Sequence, residues 1–285
     1  MAPRSSPTAR RRRLATALRQ LRETRKLSCA EVGRAVGWSE SKVSRIETGR
    51  TGIRADDLDL LLRTYEVDEE MRKALHVLRR QASHRGWWST YGDALPAWFQ
   101  GYVGLEDGAR SVMIYQGQLV PGLMQTDDYA TAVMRAHQPS VAADEIERQL
   151  AARAARQALL TSSDALEVWT VLDEAVLRRV VGGPETMKPQ LQRLREIAGL
   201  PNVTLQVLPF AHGAHAAMGT SFIHLKFPEP GDADIVYIED LTSSQYLEEP
   251  EDIERYSLVA DHLRASALPP EASTSFIKCI ADAMS

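Results

Sequence analysis

Two groups of residues invite chemistry. His212 and His215 stand in the segment AHGAHAAMGTS as an H-x-x-H pair, imidazoles able to bind a metal or move a proton with Asp173, Glu174, Glu239 or Asp240 as carboxylate partner. Such a pair needs a helix that turns both rings to one side, or a third ligand, and this segment is a small-residue, glycine-containing loop between strand-like runs. The expectation is a lid or a plain connection, with no catalysis, no metal and no cofactor. No glycine-rich phosphate loop, nucleophile elbow or dinucleotide fingerprint stands elsewhere in the chain. The second group is polar and hydrogen-bonding: Glu40, Ser41, Lys42, Ser44 and Arg45, spaced around the apolar Val43 and Ile46.

The elements that must carry this second group are short helices. From Arg11 to Arg25, Leu14, Leu18 and Leu21 fall on one helical face, with Arg13, Arg19, Arg22 and Arg25 on the other. Ser28-Cys29-Ala30-Glu31 has the form of a capping box that opens a second helix, and Gly37 supplies the left-handed residue that ends it. Ser39 caps a third helix running to about Thr48, closed by Gly49. Two such helices joined by a glycine-containing turn, the later one polar outside and apolar inside, make a helix-turn-helix. Leu58, Leu61, Leu62 and Tyr65 predict a fourth helix, and Met71, Leu75 and Leu78 a fifth.

Charge divides the chain in the same way. Residues 1–85 hold 20 Lys and Arg against 11 Asp and Glu, whereas residues 86–285 hold 14 against 27. A small module with a surplus of nine positive charges is an electrostatic footprint for phosphates, and the acidic remainder is not. No stretch approaches the roughly 18 apolar residues of a membrane span. Arg10, Arg11, Arg12 and Arg13 run into an amphipathic pattern rather than a secretory core, so the expected location is cytoplasmic. Cys29 and Cys279 fit no metal-ligand spacing, in keeping with free thiols in a reducing compartment.

The segment Leu18–Arg50, LRQLRETRKLSCAEVGRAVGWSESKVSRIETGR, resembles the Xre-type, or lambda-repressor-like, helix-turn-helix family. That resemblance implies a DNA-binding regulator working as a homodimer on double-stranded DNA. It implies that Glu40, Ser41 and Arg45 reach base edges in the major groove, with Lys42 and Ser44 beside them. The chemistry suits the roles: Arg can donate two hydrogen bonds to guanine O6 and N7, and Glu can accept from cytosine N4. Thr48, Arg50 and Arg54 fall where such domains touch the phosphate backbone, and Arg10–Arg13 are placed to follow the adjacent strand. Similar proteins carry a phosphate-binding Gln where this chain has Cys29, which shifts that contact to the Ser28 hydroxyl or to backbone amides. The resemblance also implies a partly buried ion pair between Arg22 and Glu47.

Beyond His84-Arg85-Gly86-Trp87-Trp88 the pattern changes. The expected organisation is a disordered arm over residues 1–9, the DNA-binding domain over 10–83, an aromatic junction over 84–100 and an α+β domain with a small mixed sheet over 101–285. Helices are predicted at Leu105–Tyr115, Thr126–Ala136, Ala142–Leu160, Asp173–Val180, Pro184–Ala198, Pro250–Ser266 and Pro270–Ala283, and strands at Leu166–Leu172, Val203–Leu208, Phe222–Phe227 and Asp234–Ile238. The segments Tyr91–Glu106, Tyr115–Ala130, LEVWTVLDEAVLRR and Leu200–Phe210 resemble the C-terminal domain of actinobacterial regulators described as WhiJ-like or antitoxin-like. The resemblance implies control through a small protein partner encoded nearby. Three roles for the acidic domain stay open: making the dimer or receiving a signal, binding a partner as an antitoxin-like protein that autoregulates its operon, and sensing a small molecule.

Overall fold

The computed structural model describes residues 5–92, 94–229 and 232–284, and the chain divides into two compact units at Ser89 and Thr90, inside the aromatic stretch.

The first unit is built by local capping signals. Helix α1 (Pro7–Thr24) begins inside the segment expected to be a disordered arm. Ser6 accepts a hydrogen bond from the Ala9 amide at 3.1 Å, and Pro7 sits at the first helical position, where its missing N–H costs nothing. Burial of Ala9 adds a packing reason for the early start; residues 1–4 of the arm lie outside the described residues. Helix α2 (Cys29–Val36) opens on the Ser28/Glu31 capping box, closed in both directions, and ends at Gly37 with φ 73°. Helix α3 (Glu40–Glu47) is capped by Ser39, whose hydroxyl accepts from the Lys42 amide at 3.3 Å. Helices α4 (Ala55–Thr64) and α5 (Glu69–Ala82) complete five. Leu14, Leu18, Val32, Val43, Ile46, Leu58, Leu61, Leu62, Tyr65 and Leu75 form one buried cluster to which all five contribute.

The α2–α3 turn is tight at a residue the sequence does not single out. A methyl group at Gly33 would lie 2.7 Å from the carbonyl oxygen of Trp38, a backbone atom that cannot rotate away. Gly37 supplies the conformation of the turn, and Gly33 supplies the space for it.

The second unit opens with helix α6 (Ala97–Gly108), followed at once by strand β1 (Ser111–Gln116). This corrects the helix expected over Leu105–Tyr115. Val112, Met113, Ile114 and Tyr115 are all buried, and a strand apolar on both faces cannot be told from a buried helix by periodicity. Helices α7 (Asp127–His137) and α8 (Ala143–Gln157) cross to β2 (Glu167–Asp173), and α9 (Glu174–Arg178) and α10 (Pro184–Ala198) to β3 (Val203–Leu208). Strands β4 (Phe222–Lys226), β5 (Ile235–Glu239) and β6 (Ser244–Leu247), then helices α11 (Pro250–Ser266) and α12 (Pro270–Ala283), finish the chain.

The sheet is mixed and has six strands, two more than expected, in the order β3-β2-β1-β4-β5-β6. β1, β2 and β3 run parallel, and β4, β5 and β6 pair antiparallel. Both faces are covered. Met113, Tyr115, Val171, Phe222 and Val236 pack against Ala260 and Leu263 of α11, while Tyr102 of α6 stacks on Tyr237 at 4.3 Å between ring centroids. The edge of β3 is covered as well: the Val207 amide donates to the Ser273 hydroxyl at 2.9 Å, and its carbonyl accepts from the Leu268 amide at 2.8 Å.

The crowding at Gly33 predicts that Gly33→Ala, although alanine is the better helix former, destabilises the first unit by about 1–3 kcal/mol because a backbone segment must move. Calorimetric unfolding of the full chain should show the first unit's transition lowered and that of the second unchanged.

Candidate nucleic-acid interface

Whatever α3 presents to a partner depends on how it is anchored, and the anchor is a buried charge pair. The Arg22 guanidinium of α1 donates from Nε to both Glu47 carboxylate oxygens, at 3.0 and 2.8 Å, and from Nη1 to the Leu27 carbonyl at 2.7 Å. The Glu47 side chain is 3% exposed and also accepts from the Tyr65 hydroxyl at 3.3 Å, so its oxygens are met from α1 and α4 together. Burial works against the Arg22 charge, but the hydrogen bonds and charge of Glu47 outweigh it and hold the guanidinium pKa above its ordinary value. Burial, then the negative charge of Glu47, pushes the Tyr65 hydroxyl up.

Cys29 points into this network, with Sγ 3.8 Å from Glu47. Burial first, and Glu47 next, raise its thiol pKa, so Cys29 is a protonated packing residue there and not a phosphate ligand. Ser28 is already engaged. Its hydroxyl donates to Glu31 at 2.7 Å and its amide donates to the same carboxylate at 2.8 Å, so a phosphate would have to compete with the capping box for that side chain. The amides of Cys29 and Ala30, in the first turn of α2, are the donors left there, as at any helix N-terminus.

Anchored in this way, α3 buries Val43, Ile46 and Glu47 and leaves Glu40, Ser41, Ser44 and Arg45 exposed on its outer side. The Arg45 side chain makes no hydrogen bond or ion pair among the described residues, so all its guanidinium donors are available. Lys42 is placed differently from its neighbours. Its ammonium lies 3.6 Å from the centre of the Trp38 ring and 3.2 Å from Asp57 on α4, which turns it away from the outer face. Asp57 is 15 positions further on, and no local pattern signals that contact.

The cations expected on phosphates fall into two sets. Arg50 and Arg54 are exposed in the α3–α4 connection, and their side chains make no hydrogen bond or ion pair among the described residues. Thr48 is exposed beside them, its hydroxyl donating to the Ser44 carbonyl at 2.9 Å. Arg10, Arg11, Arg12 and Arg13 are consecutive in α1 and therefore turn about 100° from one to the next, so they cannot follow one strand as a group. Arg13 is exposed, Arg10 bonds the Ser5 hydroxyl at 3.0 Å, and the Arg12 backbone is the part of α1 closest to Gly49 at the end of α3.

In the second unit, His215 sits with Nε2 3.4 Å from the Tyr115 hydroxyl and 3.8 Å from Asp173, and its Nδ1 accepts from the Ala217 amide. His212 is exposed two turns of loop away, and Glu174 is buried and accepts from the Phe210 amide at 2.8 Å. Among the described residues no three His, Cys, Asp or Glu side chains come together as a metal would need. Nor is any helix there long and apolar enough to cross a membrane.

Residues 13–75 match a family model described as a helix-turn-helix domain, and residues 99–279 match one described as a domain of unknown function, DUF5753. No curated protein and no solved structure matches the chain. The first unit is thus a helix-turn-helix domain of the DNA-binding kind.

Because loss of Arg22 would leave Glu47 charged and buried, Arg22→Ala should cost about 3–5 kcal/mol; Glu47→Ala should cost less, since the partly buried Arg22 keeps Glu23 and the Leu27 carbonyl as partners. The double substitution should cost less than the two together, a coupling that denaturant unfolding of the four proteins measures directly.

Proposed function

The chain belongs to the DUF5753 family, and on that premise we propose that it is a sequence-specific transcriptional regulator whose α3 reads the major groove of operator DNA. Arg45 is the principal base reader, with Glu40, Ser41 and Ser44 as further contacts on the same face. Arg50, Arg54 and the amides at the start of α2 hold phosphates, and they position the helix without specifying sequence. The protein binds as a homodimer to a pseudo-palindromic site whose half-sites lie about one helical turn apart. The acidic α+β domain works by binding and not by catalysis, and its role is to receive the signal.

The observation that carries this reading is the unpartnered Arg45, exposed on a helix that is otherwise fastened by a buried ion pair, in a module with a surplus of nine positive charges. A second reading has its own support: Phe210, Met218 and Leu241 are 55%, 70% and 82% exposed in the connections around β3, β4 and β5, as a surface for a protein partner of the antitoxin kind would be.

Genome-wide immunoprecipitation with wild type and Arg45→Ala is the test. Discrete wild-type peaks that share a two-fold motif and vanish in the variant are expected; absence of wild-type enrichment would overturn the reading. On a recovered fragment, Arg45→Ala should weaken binding by about 1–3 kcal/mol and relax preference at one base pair, whereas Arg50→Ala should lower affinity on all sequences and reduce the salt slope by about one. Co-purification of the product of an adjacent gene, lost on substitution of Phe210 and Met218, would favour the second reading.

A further inference from the structure

Helix α8 places Arg153 and Arg156 on one side, and both guanidinium groups come to rest over Gly122, in the turn that follows β1. A methyl group at Gly122 would lie 2.7 Å from Nη1 of Arg153 and 3.3 Å from Nη1 of Arg156, so two cations converge on one point of backbone. They are not equivalent. Arg156 is buried and its charge is met: Nε and Nη2 donate to the two oxygens of Glu106 at 2.7 and 3.0 Å, and the Tyr102 hydroxyl donates to the same carboxylate. Arg153 has no such partner. It makes no ion pair among the described residues, and its buried Nε has no hydrogen-bond acceptor. The acids whose fields reach it are Glu106, already committed, and Glu239 and Asp127, which make no ion pair with it. Burial, and next the like charge of Arg156, bring its pKa down to about 10, so it stays charged at neutral pH in a place that disfavours charge.

The turn beneath them is held rigidly. The Gln157 side chain of α8 donates to the carbonyls of Gly122 and Gln125, at 3.2 and 2.7 Å. Gln190 of α10 donates to the Met124 carbonyl at 2.8 Å and accepts from the Thr126 amide at 2.7 Å, and Gln125 donates to the Val120 carbonyl at 2.7 Å. The turn lies beyond the carboxyl end of β1, a central strand of the sheet.

We propose that Arg153 and Arg156, over Gly122, form a binding site for the oxyanion group, phosphate or carboxylate, of a small molecule. The anion supplies the counter-charge that Arg153 lacks and accepts from both Nη1 groups, which the missing side chain of Gly122 allows to come together over the turn. The site itself is independent of DNA; its meaning as the regulator's signal input rests on the function proposed above.

Isothermal titration of the full-length protein with inorganic phosphate and, separately, with succinate, each against chloride at equal ionic strength, tests the site. Saturable binding of one oxyanion is expected, weakened at least about tenfold in Arg153→Gln and by an intermediate factor in Arg153→Lys, which keeps the charge and loses the fork. Which anion binds identifies the group. Binding of neither to wild type, or wild-type affinity in a folded Arg153→Gln, overturns the proposal, and the wild-type titration decides even if that variant fails to fold. Fluorescence anisotropy on a recovered DNA fragment, with and without the bound anion, then separates the two inferences. A change in DNA affinity that Arg153→Gln abolishes places the site in regulation, whereas anion binding that leaves DNA affinity unchanged keeps the site and overturns the receiver role.

Discussion

Taking an arginine and a glutamate out of water together costs several kcal/mol per ion, and only close geometry with further hydrogen bonds repays it. Arg22 and Glu47 meet that condition. The carboxylate is held by α1 through the guanidinium and by α4 through Tyr65, and the guanidinium is held in turn by the Leu27 carbonyl at the entrance to α2. The pair therefore fixes α3 against two other helices at its last turn, while Val43 and Ile46 fix it through the core. An apolar contact in the same place would tolerate sliding. A guanidinium whose Nε is shared between both carboxylate oxygens does not, so the pair fixes the place of the exposed Arg45 side chain as well.

How far the sequence reveals this depends on whether a signal is local. The capping box at Ser28 and Glu31, Gly37 and Ser39 each act within four residues, and the two middle helices can be drawn from them. The start of α1 has the same kind of signal, Ser6 followed by Pro7, but in a polar context without periodicity it reads as disorder. β1 is hidden because burial on both faces erases alternation, and β6 because four residues at a sheet edge, none of them buried, carry little pattern. Lys42 reads as an outward residue because its position on the helix is outward. Only Asp57 and Trp38, brought up by the tertiary fold, turn it aside.

The same limit applies more strongly in the second unit. In an alanine-rich helix crowded with charge, Arg153 and Arg156 look like part of a solvated face. Their difference from Arg148, which pairs with Asp144 on the surface of the same helix, comes from Glu106 in a helix 50 positions away and from the glycine of a turn after β1. Spacing along α8 contains neither. The pair of histidines shows the converse, since His212 and His215 stand three positions apart and the fold sends them to different surroundings.

The covering of β3 by Leu268 and Ser273 has a consequence for how the chain is made. The first unit forms its buried cluster from its own helices and is complete without the second. The sheet is not: its β3 edge stays open until Leu268 and α12 are made, and until then it can pair with the matching edge of a neighbouring nascent chain. Until the segment carrying Leu268 and Ser273 is in place, a folded, positively charged first unit is joined to a sheet with an unsealed edge.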